Sequence, residues 1–111
     1  MLNQCNFIGR LTRDPEKKEL DGDKVVTKFS LAVDRGFGSD EADFINIVAW
    51  GKTAVNTAKY LSKGSLAFVS GRHQVRSWEK DGQKRNTVEI VAREVVFLDS
   101  KKREEEDDEP F

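Results

Sequence analysis

Residues 24–34 alternate between apolar and polar side chains, and this period of two is the feature that most constrains the fold. One face of an extended chain would carry Val25, Thr27, Phe29, Leu31 and Val33. The other face would carry Lys28, Ser30 and Asp34, together with Val26 and Ala32. Strand side chains point alternately to two faces, and β-branched residues favour strands. The pattern therefore predicts a half-buried strand.

Shorter alternating segments recur along the chain and predict four further strands. These strands are expected at residues 3–11, 42–50, 65–78 and 87–98. One helix is predicted over residues 53–61, because Ala54, Ala58 and Leu61 fall on one helical face, with Gly64 as its C-terminal cap. The pairs Asp14-Pro15 and Asp81-Gly82 predict turns, the second within a polar hairpin loop over residues 79–86.

The predicted order is three strands, one short helix and two strands in a chain of 111 residues. This order suits an all-β fold, a five-stranded Greek-key barrel of the OB type with its helix between strands 3 and 4. An SH3-like barrel or a small sandwich fits the strand count but does not explain the helix. We expect one domain over residues 1–100. We also expect a disordered acidic tail over residues 101–111, which has no apolar residue before Phe111.

Charge is unevenly distributed along the chain. Six of the 20 acids lie in the run 104–109, so the remaining residues hold 19 Lys and Arg against 14 Asp and Glu. A basic body beside an acidic terminal run is typical of proteins that bind polyanions. No apolar run approaches the roughly 18 residues of a membrane span, and no secretory signal is visible. A single cysteine, Cys5, excludes an intrachain disulfide, so we expect a cytoplasmic protein.

Large aromatic side chains fall on the outward faces of two predicted strands. In segment 42–50, Ile45, Ile47 and Ala49 are predicted to face the core, opposite Phe44, Asn46, Val48 and Trp50. In segment 65–78, Ala67, Val69, Gly71 and Val75 are predicted to face the core, opposite Arg72, Gln74, Arg76 and Trp78. Aromatic rings stack on bases, and cationic side chains neutralise phosphates. With Phe37, Lys52 and Lys63 nearby, this pattern favours a nucleic-acid surface over a set of unrelated exposed aromatics.

A second outward set is apolar and predicts a different kind of contact. It consists of Ile8, Leu66 and Phe68. A small barrel has few uses for outward apolar side chains other than an interface with a second subunit.

Catalytic and metal sites are disfavoured by the residue inventory. The only histidine, His73, has the inner parity of its strand and is expected to be packed or hydrogen-bonded. One His and one Cys do not make an ordinary zinc site. Asp40, Glu41 and Asp43 are the only acids placed to hold a divalent cation, and loop acids are usually solvated. We therefore expect no catalytic residue, no metal and no cofactor.

Several segments resemble bacterial-type single-stranded DNA-binding proteins, through nearly the whole length of the chain. They are NQCNFIGRLTRDPE, FSLAVDRGF, ADFINIVAWGKTAVNTAKYLSKGSLAFVSGRHQVRSW and the terminal DDEPF. Each motif alone is weak, but their order, their spacing and the terminal Pro-Phe together are specific. The resemblance implies an OB fold, usually a homotetramer, that wraps single-stranded DNA in the cytoplasm, associated with the nucleoid, without catalysis.

The resemblance also assigns roles to individual residues. The stacking aromatics of the family fall on Phe37, Phe44, Trp50 and Trp78. Its phosphate-contacting positions fall on Arg10, Arg35, Lys52, Lys63, Arg72 and Arg76, with Lys84 and Arg85 in the hairpin loop that family members lay along DNA. The tail residues Asp107, Asp108, Glu109, Pro110 and Phe111 imply docking of replication, recombination and repair proteins.

The chain departs from the family pattern in two places. It lacks the usual long Gly/Gln/Pro-rich linker, and Glu109 stands where an apolar residue often precedes Pro-Phe. Two other functions remain open on the residues alone. One is an OB-fold adaptor whose main ligands are proteins. The other is an RNA-binding OB protein, because no sequence feature separates ribose from deoxyribose.

Overall fold

A computed structural model of the chain describes residues 1–36 and 38–99. In these residues the strands are β1 (Cys5–Leu11), β2 (Glu16–Leu20), β3 (Lys24–Asp34), β4 (Ala42–Trp50), β5 (Leu66–Lys80) and β6 (Gln83–Phe97). One helix, α1, spans Gly51–Tyr60, and a 3-10 turn over Asp21–Asp23 joins β2 to β3. Phe37 and the tail expected over residues 101–111 lie outside the described residues.

Five of the strands close into a barrel. The order of hydrogen-bonded neighbours is β1-β5-β6-β4-β3, and β3 returns to β1 through the pairs Arg10–Ala32 and Leu11–Leu31. Every contact in this ring is antiparallel except β4 with β6, which run parallel. The helix lies between the third and fourth barrel strands of the chain. The all-β OB barrel predicted from the sequence is therefore confirmed.

Strand β2 was not predicted. It pairs only with β3 and lies outside the barrel ring. Its sequence EKKEL has four charged residues in five, and all five side chains are exposed. A strand with no buried face shows no alternation of polarity, so the period-two signal could not find it.

Strand β4 leads directly into α1, and the helix begins two residues earlier than predicted. Gly51 has a φ of +63°, a region that side-chain-bearing residues rarely adopt, and the chain turns there from strand to helix. The helix ends at Tyr60 and is capped by Leu61, whose N–H donates to the carbonyl oxygen of Thr57 at 3.0 Å. Gly64 is not the cap. Its N–H donates to the carbonyl oxygen of Leu11 and ties the following turn to β1.

The core fills the barrel from the inward faces of its strands and is covered at one end by the helix. It consists of Leu11, Phe29, Leu31, Ile47, Leu61, Ala67, Val69 and Ile90. The buried Thr27 hydroxyl donates to the carbonyl oxygen of Ala54 at 2.9 Å and fastens β3 to α1. No helix in the described part of the chain is long and apolar enough to cross a membrane.

Strands β5 and β6 are 15 residues long and extend beyond the barrel as a hairpin. Asp81 and Gly82 alone form its turn, both with positive φ as two-residue hairpin turns require. The polar loop expected over residues 79–86 is therefore strand up to this turn. A β-bulge interrupts the β5–β6 register between Ser70 and Gly71. A Cβ at Gly71 would overlap the carbonyl oxygen of Val91, so only glycine fits there.

Candidate nucleic-acid interface

One outward face runs across five strands. Cross-strand partners lie on the same side of a sheet, so the registers define rows of neighbours. The central row consists of Arg72 on β5, Val91 on β6, Val48 on β4, Lys28 on β3 and Glu16 on β2. We call the face that contains this row the binding face. By parity along β4 and β5 it also contains Phe44, Asn46, Trp50, Gln74, Arg76 and Trp78.

The three described aromatics predicted to stack bases are all exposed on the binding face. The exposed fractions are 68% for Phe44, 47% for Trp50 and 45% for Trp78. Phe44 and Trp50 are separated by six strand residues, about 20 Å. Trp78 lies near the tip of the hairpin, opposite Arg85. Exposed rings at separate points of one continuous face are accessible to several bases of one strand.

The binding face is concave near its centre. Val48 has outward parity but is buried, which corrects the expectation that it would be exposed. It lines a cavity of about 150 Å³ together with Arg13, Glu16, Lys28, Phe29, Ser30, Asn46, Ile47 and Glu89. A second cavity of about 400 Å³ lies towards the hairpin tip, lined by Arg76, Ser77, Trp78, Thr87 and Glu89.

Most of the predicted phosphate contacts lie on exposed segments. Lys52 is on the first turn of α1, Lys63 is in the turn that follows the helix, and Lys84 and Arg85 begin β6. The side chain of Arg72 donates to the Gln74 side-chain oxygen at 2.8 Å, a neutral partner, and no acid within residues 1–36 and 38–99 forms an ion pair with it. Arg76 lies 3.7 Å from a carboxylate oxygen of Glu89.

Two predicted phosphate contacts are already engaged by acids. Arg35 donates to Glu41 at 2.6 Å and, through two nitrogens, to Asp43 at 3.0 and 2.9 Å. Hydrogen bonding to Asp43 and the charge of that carboxylate raise the pKa of the Arg35 guanidinium above its ordinary value. Arg10 donates to the carbonyl oxygen of Gly64 at 2.9 Å and to Asp99 at 3.4 Å. A phosphate would have to displace these acids.

Sequence reasoning gave no binding role to several residues of the binding face, among them Lys28, Lys18 and Glu89. Lys28 was predicted only to lie on the polar face of its strand, yet it lies in the central row. Lys18 is on the unpredicted β2, in a row with Val26 and Trp50. Glu89 lines both cavities. The alternation in β3 indicates that Lys28 lies on the outward face, but nothing in the sequence indicates that Lys18 and Glu89 belong to the binding face.

Two expectations for the inner parity of β5 are wrong. Val75 is 54% exposed, and His73 is exposed rather than packed. Among contacts with described residues, only the backbone of His73 is engaged: Asn3 donates to its carbonyl oxygen at 2.8 Å and accepts from its N–H at 2.9 Å. Val75 lies beyond the barrel, where its cross-strand partner Val88 is exposed as well, whereas His73 is exposed although it pairs with the core residue Ile90.

The outward apolar residues form a row on the other half of β5. Ile8 pairs with Phe68, which pairs with Val96, and Leu66 precedes them along β5. Ile8 and Val96 are exposed, and the other two are partly buried. We call Ile8, Leu66, Phe68 and Val96 the apolar patch. Their proximity follows from the register, while their predicted role as a subunit interface stays a prediction.

The loop acids do not form a cation site. Glu41 and Asp43 are the partners of Arg35. Within residues 1–36 and 38–99, no cluster of three or more His, Cys, Asp or Glu side chains is arranged to hold a metal.

Comparison with known proteins identifies the family. The family model described as "Single-strand binding protein family" matches residues 2–98. "Single-stranded DNA-binding protein 3" of Clostridium acetobutylicum is 55% identical over 103 residues, which is 88% of this chain and 72% of the relative. "Single-stranded DNA-binding protein 1" of Staphylococcus aureus (strain MSSA476) is 50% identical over 106 residues, 91% of this chain and 68% of the relative. Neither name describes an enzyme.

A solved structure has a similar fold. It is titled "Plasmodium falciparum SSB complex with ssDNA" and superposes with a TM-score of 0.78 at 32% sequence identity. The match covers 89% of this chain and 96% of that one.

Proposed function

Because the chain belongs to the single-strand binding protein family, we propose that it binds single-stranded DNA by base stacking and phosphate neutralisation, without reading a sequence motif and without catalysis. The observation that carries this proposal is the binding face. Its exposed aromatics, Phe44, Trp50 and Trp78, are joined by strand register to Arg72 and Arg76. Stacking is worth about 1–3 kcal/mol per base for any base, which suits a sequence-tolerant protein.

Tryptophan fluorescence tests the proposal directly, because Trp50 and Trp78 are the only two tryptophans and both lie on the binding face. Titration with oligo(dT) should quench both, and added salt should reverse the quenching because phosphate contacts release counterions. Duplex DNA should not compete, and an RNA oligonucleotide of equal length measures the preference for deoxyribose. Trp50→Phe and Trp78→Phe should each remove part of the quenching. Absence of binding at low salt would overturn the proposal and favour the protein-adaptor alternative.

We infer that the apolar patch joins copies of this chain, with a homotetramer as the assembly. The row Ile8–Phe68–Val96 exposes apolar area on the outside of a small barrel, where burial against a second copy would remove it from water. Phe68→Lys should lower the mass measured by light scattering. Val75→Lys is the matched control, since it adds the same charge to β5 outside the patch. A monomeric wild-type protein at micromolar concentration would refute this assembly.

The C-terminal residues are proposed to recruit replication, recombination and repair proteins. The support is in the sequence alone: an acidic run, Asp107, Asp108 and Glu109, leads to Pro110 and Phe111. An apolar ring beside several carboxylates would fit an apolar pocket rimmed by Arg or Lys. The same acids would compete with DNA for the basic face. Deleting residues 104–111 should therefore abolish partner capture and tighten DNA binding at low salt. Unchanged DNA affinity would exclude the competition.

The place of action is proposed to be the cytoplasm, in association with the nucleoid. The support is the single cysteine, which suits a reducing compartment, and the nucleic-acid ligand. Fluorescence microscopy of a tagged full-length chain would check this, with DNA-associated foci as the expected distribution.

A further inference from the structure

We propose that Glu89 is a specificity-determining residue of the binding face, whose carboxylate accepts hydrogen bonds from base amines and so favours cytosine over uracil and thymine. This inference rests on the proposed function. It adds a chemical preference to a surface whose stacking contacts alone tolerate any base.

Strand register puts Glu89 at the centre of the binding face. On one side it pairs with Gln74 of β5. On the other side, the parallel pair Ile90–Ile47 makes Asn46 of β4 its lateral neighbour. Glu89 also lines both cavities of this face, one with Asn46 and the other with Trp78.

The side chain of Glu89 is mostly covered, yet its carboxylate makes no hydrogen bond to a described residue. Only 12% of its side chain is exposed. Its single partner among residues 1–36 and 38–99 is Arg76, with 3.7 Å between Nη1 and Oε2, which is beyond hydrogen-bond distance. An ionised carboxylate has about four acceptor positions, and burial without donors is unfavourable. A ligand that supplies N–H donors would relieve this cost.

The chemistry of the site selects a base edge rather than a phosphate. A phosphate would be repelled by the negative charge, whereas Glu and Asp carboxylates accept from the cytosine N4 amine. Uracil and thymine carry a carbonyl oxygen at the equivalent position and would present an acceptor to an acceptor. Trp78 borders the same cavity as Glu89, so a base stacked on the indole can present its edge to the carboxylate.

Glu89 also has a simpler possible role, which makes a different prediction. In this alternative, Glu89 contacts no base, and its negative charge lowers the positive potential near Arg76. In that case its removal would change the affinity for every base by the same factor, and no ratio between bases would move.

The experiment compares full-length wild type with Glu89→Gln and a matched control, Glu79→Gln. Glu79 is exposed on the opposite face of the same hairpin, so the control removes the same charge near the same strands. The probes are oligo(dC) and oligo(dU) of equal length, which have the same backbone and differ only at the pairing edge. Binding is measured by tryptophan quenching at pH 8, where cytosine is neutral, over a series of salt concentrations.

We expect Glu89→Gln to lower the dC-over-dU affinity ratio by about tenfold, and Glu79→Gln to leave it unchanged. Equal changes for both oligonucleotides would overturn the inference and leave single-strand binding intact. Failure of the wild type to bind either oligonucleotide would overturn the proposed function instead.

A measurement on the wild type keeps the inference testable if Glu89→Gln does not fold. In oligonucleotides of 2-pyrimidinone, a hydrogen replaces the cytosine amine without adding bulk. The wild type should bind them more weakly than oligo(dC), and equal affinity would refute the contact.

Discussion

Both halves of β5 are extended strand, but the first half has a buried face and the second half is almost entirely exposed. Residues 66–71 alternate between partly buried and fully buried side chains, because one face of this half packs on the barrel core. In residues 72–80 only Gln74 is even partly buried. A strand half with nothing to bury has no packing reason for its large side chains. Its two arginines and its tryptophan are therefore better explained by ligand contact than by stability.

Strand β6 shows the same division into a buried half in the barrel and an exposed half near the hairpin turn. Ile90 belongs to the core, whereas Val88, two residues closer to the hairpin turn, is 48% exposed. The exposed Val88 pairs with the exposed Val75. The β-bulge at Gly71 lies at the boundary, where a bulge bends a strand and re-aims the sheet beyond it.

The largest expected effect is on the free energy of unfolding, from a substitution at the β-bulge that separates the two halves. Gly71→Ala places a Cβ against the backbone of Val91, which has no flexible side chain to move aside, and should cost about 3 kcal/mol of unfolding free energy. Gly82→Ala is the control. Its Cβ meets no atom within 4 Å, and its φ of +78° costs only about 1 kcal/mol. Urea unfolding of the two variants measures both values, and equal costs would mean that the bulge does not need its close backbone approach.

The next prediction compares one substitution in the two halves of β5. Val69→Ala removes two methyl groups from a fully buried position and should cost about 2 kcal/mol of unfolding free energy. Val75→Ala makes the same change on the same inner parity at an exposed position and should cost less than about 0.5 kcal/mol. A large cost at Val75 would show that the hairpin is packed against another copy of the chain under the conditions of the measurement.

The sequence predicted those parts of the fold in which one face is buried. Strands β3 and β4 occupy the expected residues, because the alternation in 24–34 and 42–50 reflects the inside and outside of the barrel. Alternation of polarity carries no information about the fold wherever a strand has no buried face. For this reason β2 was not predicted and Val75 was predicted to face the core, and residues 79–86 were predicted to be a loop although they are paired strand on both sides of a two-residue turn.

The candidate site was predictable to a similar extent. Parity alone placed Phe44, Trp50 and Trp78 on one side of their strands, but only the register shows that these sides form one face. Parity could not show that Arg35 is held by Glu41 and Asp43, since those contacts depend on the path of the β3–β4 loop. It also gave no reason to single out Glu89, because burial of an outward side chain depends on the curvature of the face.

A smaller effect should separate the two tryptophans. Trp78 lies on the projecting hairpin, so Trp78→Ala should weaken oligo(dT) binding by at least about 1 kcal/mol and change the unfolding free energy by less than about 0.5 kcal/mol. Trp50 pairs with the buried Val26, so Trp50→Ala should lower both DNA affinity and stability. Fluorescence anisotropy of labelled oligo(dT), combined with urea unfolding, tests the pair. A stability loss at Trp78 as large as that at Trp50 would contradict the prediction, because it would mean that Trp78 on the hairpin stabilises the fold as much as Trp50 on the barrel.

The smallest expected effect is on salt dependence, and it compares an arginine of each region. Arg72 has a neutral partner in Gln74 and lies on the binding face, whereas Arg10 lies against Asp99 beside the apolar patch. Loss of one phosphate contact reduces the slope of log K against log salt by about 0.7 for a single strand. Arg72→Gln should show that reduction in oligo(dT) titrations from low to moderate salt, and Arg10→Gln should leave the slope unchanged. A wild-type slope in Arg72→Gln would remove Arg72 from the set of phosphate contacts, and a reduced slope in Arg10→Gln would mean that DNA displaces Asp99. The second outcome would extend the DNA path from the hairpin onto β1.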